Sequence, residues 1–444
     1  MNLKSLLVLI LASQIVVSCK KDLNDNEKFS QGAKQGNFKK NDHLKIAIVS
    51  DIHYMHPSLL INNGAAGAAF QTYLDQDPKL VQYSDPIFRN VLADIRNERP
   101  DIVLVPGDIT KDGEKVSHVA VAGFLNQLRG DGVKVYVVPG NHDVNNAKAK
   151  IFDGENAYPV EMTSAADFAN IYANHGYADA IARDPNSLSY VVEPEPGFRI
   201  IGIDASKYED YGPAGDVAAG RIKPQTLTWI LARLAEAKQQ NITIFAMMHH
   251  NLIEHYAGQS QLDPGYVIDD WENVSHMLMN AGLKIIFTGH YHANDISSQT
   301  FNGNTLVDIQ TGSLVTAPSP YRLITMKDGK LDVSSKTVQS IDVSLPGGLS
   351  FPAYAGTFLS QHLDGYFNYY LTNQLGAPPQ LSAIAAPIFR NGIMAHFAGD
   401  EKLPPEELAK INDLGTMSQQ LASIVTTLWT DTGEKDNKNS IPYK

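Results

Sequence analysis

Three features of the sequence point to an α/β domain followed by a small helical domain. From residue 44 onward, short runs rich in valine and isoleucine alternate with amphipathic stretches, the pattern of sheets interleaved with helices. The runs are bounded by glycine, proline, aspartate or asparagine, as buried strands are. Beyond Leu345-Pro346-Gly347-Gly348 the strand pattern stops and only helical spacing remains.

Taken in order, residues 44–50, 101–106, 133–138, 198–203, 242–248 and 283–287 read as buried strands. Residues 79–98, 115–129, 224–239 and 270–281 read as the helices between them, giving mixed or parallel sheets. Residues 187–192 and 305–309 are further strands, and 321–338 forms a hairpin turning at Asp328-Gly329. This first unit spans 44–342. In 350–430, Leu359, Leu363, Phe367 and Leu371 recur at helical spacing, as do Leu408, Ile411, Leu414, Leu421, Ile424 and Leu428. The segment around 380–397 is also helical in character, but Pro387 is expected to kink or break it. The polar tail, 431–444, is expected to be mobile.

At 444 residues the chain exceeds one ordinary domain. A formal net charge of −12 argues against general nucleic-acid binding, which calls for a basic patch. It leaves room for an anionic substrate, because bound dications can invert the sign locally. Lys4 precedes an apolar stretch at 6–17, too short to span a bilayer, which ends in Val16-Val17-Ser18-Cys19. This reads as an export signal over 1–18. It resembles a bacterial lipoprotein box, in which Cys19 becomes the lipidated first residue; a plain signal peptide containing a cysteine is the simpler alternative. The resemblance implies an exported protein anchored to the bacterial membrane by lipid, with residues 19–43 as a polar tether. Cys19 is the sole cysteine, so no disulfide can form within the chain.

Five short motifs sit at the ends of the apolar runs: Asp51-Ile52-His53, Gly107-Asp108, Gly140-Asn141-His142-Asp143, His249-His250 and Gly289-His290-Tyr291-His292. Each alone is commonplace: a Gly-Asp is usually a turn, and Asn-His-Asp can cap a helix. Together, at strand ends, they point to metal chemistry, because ligands gather beyond the carboxyl ends of strands in open α/β sheets. Two residues apart on extended chain, Asp51 and His53 are expected to point to one side, as are His290 and His292. The glycines suit turns where backbone approaches the site closely.

These motifs resemble those of the calcineurin-like metallophosphoesterase superfamily over roughly 44–317. The resemblance implies a four-layer α/β/β/α sandwich with two metal ions. It further implies that Asp51, His53 and His292 hold one metal, that Asn141, His249 and His290 hold the other, and that Asp108 bridges both. His142 would contact the phosphoryl oxygen or leaving group, with Asp143 orienting it and His250 supporting the ligands from behind. Oxygen and nitrogen donors without thiolate suit Mn, Fe or Zn, divalent or trivalent. Such a pair of cations would supply a bridging hydroxide for in-line attack on a phosphoester.

Asn-His-Asp, where many phosphomonoesterases of the superfamily have Asn-His-Glu, resembles the diesterase branch. With Gly113–His118, the insertion holding Phe70–Leu74 and the helical C-terminal domain, it is similar to exported bacterial phosphodiesterases related to class III cyclic-nucleotide enzymes. A phosphodiesterase for small diesters or cyclic nucleotides is therefore expected. The alternatives are a broad phosphomonoesterase that scavenges phosphate, or a binding lipoprotein that has lost catalysis. The insertion at 54–84 either lines the cleft or folds on its own aromatics. Tyr291 is expected in the core, and His118, His175, His255 and His276 are expected to be ordinary polar positions.

Overall fold

The computed structural model describes residues 43–444, apart from 63, 400 and 431–434. The export signal, Cys19 and the tether up to residue 42 lie outside the described residues. Among those described, no helix is long and apolar enough to cross a membrane.

Two sheets face each other. One has six strands in the spatial order Lys438–Pro442, Lys330–Thr337, Pro320–Lys327, Leu44–Ile48, Ile102–Pro106 and Lys134–Val138. The other has seven: Ile296–Phe301, Asn304–Gln310, Ile285–Thr288, Thr243–Met248, Phe198–Ile203, Tyr190–Glu195 and Ala182–Arg183. In both, the central strands run parallel, so their carboxyl ends lie together. The period-two alternation of strands divides the apolar residues between layers. Phe245 and Met247 face the core shared with the first sheet, whereas Ala246 and Met248 meet Ile230, Leu234 and Leu278 of the covering helices Pro224–Gln239 and Trp271–Ala281. Helices Ser84–Glu98 and Lys115–Gly130 bury Ile87, Phe88, Val91, Val121 and Leu125 against the six-stranded sheet. The result is the expected four-layer α/β/β/α sandwich.

The C-terminal domain is helical, with helices Phe351–Asn373, Pro379–Ala398, Pro405–Met417 and Gln419–Thr427. Leu359, Leu363, Phe367 and Leu371 form its buried stripe, and its core also takes in Tyr256 and Tyr291 of the sandwich. Tyr291 is thus a core residue, bonded through its hydroxyl to Asp263 at 2.9 Å.

Three expectations need correction. Pro387 does not break its helix, which runs on from Pro379 to Ala398. Burial of Ala385, Ala386, Ile388 and Phe389 on either side of it offsets the lost hydrogen bond, about 3 kcal/mol in an isolated helix. Leu408 lies 45% exposed, outside the helical core. The described part of the tail, residues 435–444, is no mobile appendage: Lys438–Pro442 pairs antiparallel with Lys330–Thr337, seating Ile441 and Tyr443 in the main core. The insertion after the first strand stacks Phe70 on its own Tyr73 (ring centroids 6.2 Å) and packs Phe70 against Phe152 of strand Lys150–Asp153 (5.0 Å).

Candidate metal centre

The five motifs converge on one cleft between the two sheets. The strand ending at Ile48 leads to Asp51 and His53, and that ending at Pro106 leads to Asp108. Strand Lys134–Val138 leads to Asn141 and His142, Thr243–Met248 to His249, and Ile285–Thr288 to His290 and His292. The pairs do not reach the cleft on extended chain, as the sequence suggests. Asp51, His53, Asp108, His290 and His292 all have positive φ, at 50°, 42°, 47°, 76° and 65°. Each such backbone costs about 1–3 kcal/mol and persists only where its surroundings enforce it, so strain is concentrated at this cleft.

Close approach explains two glycines. A Cβ on Gly289 would lie 2.0 Å from Ser50 Oγ and 2.3 Å from Asp51 Oδ2; one on Gly140 would lie 2.2 Å from Asp108 Oδ1.

In one half of the cleft, His53 Nε2 and His292 Nε2 stand 3.3 Å apart. Asp51 Oδ1 lies 4.0 and 3.5 Å from these two nitrogens. Thr316 Oγ1 engages His292 Nδ1 at 3.0 Å, which turns Nε2 inward. In the other half, His249 donates from Nδ1 to Pro106 O at 2.8 Å. That fixes the tautomer and aims the Nε2 lone pair at Asn141 Oδ1 (3.1 Å) and Asp108 Oδ2 (3.3 Å). His290 donates from Nε2 to Gly265 O at 3.1 Å, leaving Nδ1 for the cleft. Asp108 Oδ2 also lies 3.6 Å from His53 Nε2, so one carboxylate faces both halves. Asp51, His53 and His292 form one group able to hold an ion, and Asp108, His249 and His290 another.

Lone pairs and carboxylate oxygens gathered at this spacing demand positive charge between them. The protonation equilibria say the same. Burial opposes it, yet Asp108 and Asp51 push the His249 imidazole up to about 9. Burial also sets itself against ionised Asp108, but His249 and His142 hold that carboxyl well below the usual range. The residues present therefore fit a pair of cations.

His142 sits at the mouth, its side chain 15% exposed where Asp108 is 2%. Its ring is not oriented by Asp143, contrary to expectation. Asp143 instead accepts from the backbone N–H groups of Ile109 (3.1 Å), Thr110 (2.9 Å) and Gly140 (2.9 Å), tying together the loops that carry Asp108 and Asn141. Asp112 takes the orienting place, with Oδ1 2.9 Å from His142 Nδ1. Asp216 lies 3.8 Å from His142 Nε2 and accepts from Asn141 Nδ2 at 3.2 Å, while Lys148 pairs with it at 2.7 Å. Burial and Lys79 lower the His142 imidazole, but Asp108, Asp216 and Asp112 raise it to about 9. His250 stands behind His249 and His290, its Nε2 donating to Ala218 O at 3.0 Å; burial and His249 push it down to about 3.

Asp112 and Asp216 escaped the sequence reading. Asp112 follows Gly107-Asp108 by four residues and was discoverable as a carboxylate in the same loop. Asp216 lies in an irregular glycine-rich loop, where no periodicity marks it. Of the other histidines, His118 and His255 are fully buried members of hydrogen-bond networks, and His118 engages Tyr172 at 2.9 Å.

Two facing sheets that deliver imidazoles and carboxylates into one cleft define a metal-binding α/β sandwich. The model of the calcineurin-like phosphoesterase family matches residues 44–294, and the chain belongs to that family. A glycerophosphodiester phosphodiesterase of Enterobacter lignolyticus is 26% identical over 44% of this chain, which spans 57% of that relative's length. A probable cyclic nucleotide phosphodiesterase of Synechococcus is 22% identical over 56% of this chain and 73% of its own. Another, from Pseudoalteromonas, is 26% identical over 48% of this chain and 63% of its own. Among solved structures, a dimetal phosphatase from Danio rerio aligns with 66% of this chain and 96% of its own, at 16% identity and a TM-score of 0.44.

Proposed function

We propose that the protein is a two-metal phosphoester hydrolase that prefers phosphodiesters, with small diesters or cyclic nucleotides as its substrate class. The observation that carries this reading is the position of Asp108, within 3.6 Å of His53 and 3.3 Å of His249, in line to bridge two ions. Asp51, His53 and His292 would hold one ion, and Asn141, His249 and His290 the other. When bound, the pair would supply Lewis acidity and a nucleophile at neutral pH. Oxygen and nitrogen donors without thiolate would suit divalent or trivalent Mn, Fe or Zn.

The chain's own contribution is placement. His142, at the exposed mouth and held through Nδ1 by Asp112, keeps Nε2 turned to the cleft, where it can donate to a phosphoryl or leaving-group oxygen. Asp216 accepts from the Asn141 amide and so would leave Oδ1 free to hold the second ion. The phosphodiester preference is supported by Asn-His-Asp and by relatives named as phosphodiesterases. We place the enzyme outside the cell membrane, lipid-anchored through Cys19.

Hydrolysis of a matched aryl phosphodiester and phosphomonoester in Mn²⁺, with His142→Ala alongside, tests the reading. Dominant diester turnover that collapses in the variant is expected. Dominant monoester turnover would make it a phosphate-scavenging phosphatase, and no turnover with metals bound would make it a binding protein.

A further inference from the structure

A second group of ligand-type side chains lies where the helical domain meets the sandwich. Asp295 stands just before strand Ile296–Phe301, three residues after His292. His396 is in the last turn of helix Pro379–Ala398, and Glu401 follows that helix. One ligand atom from each lies within 4.8 Å of the others. His396 Nδ1 is 2.5 Å from Glu401 Oε1 and 3.9 Å from Asp295 Oδ2. The Asp295 and Glu401 side chains are 1% and 2% exposed, and that of His396 is 3%.

Two features separate this group from an ordinary buried ion pair. The first is orphaned acceptors. Asp295 spends Oδ1 on His255 Nδ1 and on Ser297 Oγ, yet its Oδ2, which faces His396, has no hydrogen-bond partner. Glu401 Oε2 is likewise buried without one. A buried carboxylate oxygen left bare is unfavourable, because burial strips its water and nothing replaces it.

The second is charge. Asp295, Glu401 and the neighbouring Asp308 are three carboxylates facing two imidazoles, those of His255 and His396; His255 Nε2 is 3.4 Å from Asp308 Oδ2. Even with both rings protonated, one negative charge remains. Arg322 and Asp436 flank the group with one charge of each sign and leave that balance unchanged. A bound cation would offset that charge.

We propose that Asp295, His396 and Glu401 form a structural cation site, distinct from the catalytic cleft, that clamps the helical domain to the sandwich. One imidazole and two carboxylates suit Zn²⁺ or Mn²⁺. Ligands around such an ion stand about 3.4 Å apart at bonds of about 2.1 Å, so Glu401 must back away from His396 by about 1 Å. The Asp295 carboxylate is already held by His255 and Ser297, the outer support that metal-binding carboxylates require. The junction itself is close: a Cβ on Gly399 would lie 2.4 Å from Asn294 O, and Asn294 N–H donates to Phe397 O at 3.2 Å. An ion here would fix the helical domain to the segment that carries His292.

The test is metal content per chain, by mass spectrometry on desalted protein loaded with Zn²⁺ or Mn²⁺. Wild type should hold one equivalent more than His396→Ala or Glu401→Gln. Asp108→Asn should keep that equivalent whatever it loses from the cleft, so failure of this site and of the catalytic reading are told apart. The added cation should also raise the melting temperature of wild type more than that of either variant. Equal content in wild type and both variants overturns the proposal. Should neither variant fold, anomalous diffraction from wild-type crystals decides: a peak between His396 Nδ1 and Asp295 Oδ2 upholds the site, and its absence rejects it.

Discussion

Asp112 Oδ1 lies 2.9 Å from His142 Nδ1, so the ring donates from Nδ1 and turns Nε2 toward Asp108 and Asp216. Lys111 grips the other Asp112 oxygen, and the pair is buried. Asp112→Asn, nearly isosteric, should therefore lower kcat about 10- to 100-fold with little change in KM. Steady-state kinetics on an aryl phosphodiester, with a melting curve to show that the fold persists, checks this. A raised KM with kcat intact would place His142 in substrate binding alone.

Gly289→Ala should act on the cleft from behind. The new Cβ would stand 2.3 Å from Asp51 Oδ2 and 2.0 Å from Ser50 Oγ, so the carboxylate must move. We expect loss of metal from the Asp51, His53 and His292 group and a cost of about 1–3 kcal/mol from overpacking. Metal analysis and denaturant unfolding would register both effects. A variant with wild-type metal content would show that the loop yields freely.

The C-terminal strand should contribute to stability out of proportion to its length. Tyr443 is 6% exposed, with its ring 5.3 Å from that of Phe245. Tyr443→Ala should cost about 3 kcal/mol, read as a lower urea midpoint. An unchanged midpoint would mean that the strand docks only loosely.

His255 sets a pH dependence. Its imidazole is raised from 6.5 to about 10, with burial opposing and Asp295 and Asp308 driving the rise. A raised pKa means the folded protein holds this proton more tightly than the unfolded chain. The contribution is full below pH 6.5 and is lost as pH climbs toward 10. Wild type should lose more melting temperature over that interval than His255→Asn, and parallel curves would remove His255 as the cause.

Much of this molecule was legible because burial writes itself into strands and helices. The runs 198–203 and 242–248 and the helix at 224–239 stand within a residue of where periodicity puts them. The hairpin turns at Asp328-Gly329, both with positive φ, as that pair of residues favours. What sequence concealed was tertiary. Strand Lys438–Pro442 is charged or polar except at Ile441 and Pro442, and only its pairing with Lys330–Thr337 makes it a strand. Pro387 overrules local propensity through its buried neighbours. Asp216 reaches the cleft from a loop whose course no spacing rule predicts. Asp143 was misread because adjacency to His142 suggested a partner, whereas its carboxylate turns back to the loop amides.

We propose that Asp108 would join two cations in a hydrolytic site. The most direct measurement of this is aryl phosphodiester turnover by chelator-stripped protein refilled stepwise with Mn²⁺, for wild type and Asp108→Asn. Wild-type activity should return as a second equivalent enters the cleft, while folded Asp108→Asn stays at the buffer rate. Full turnover by the variant, or by stripped wild type, would contradict it.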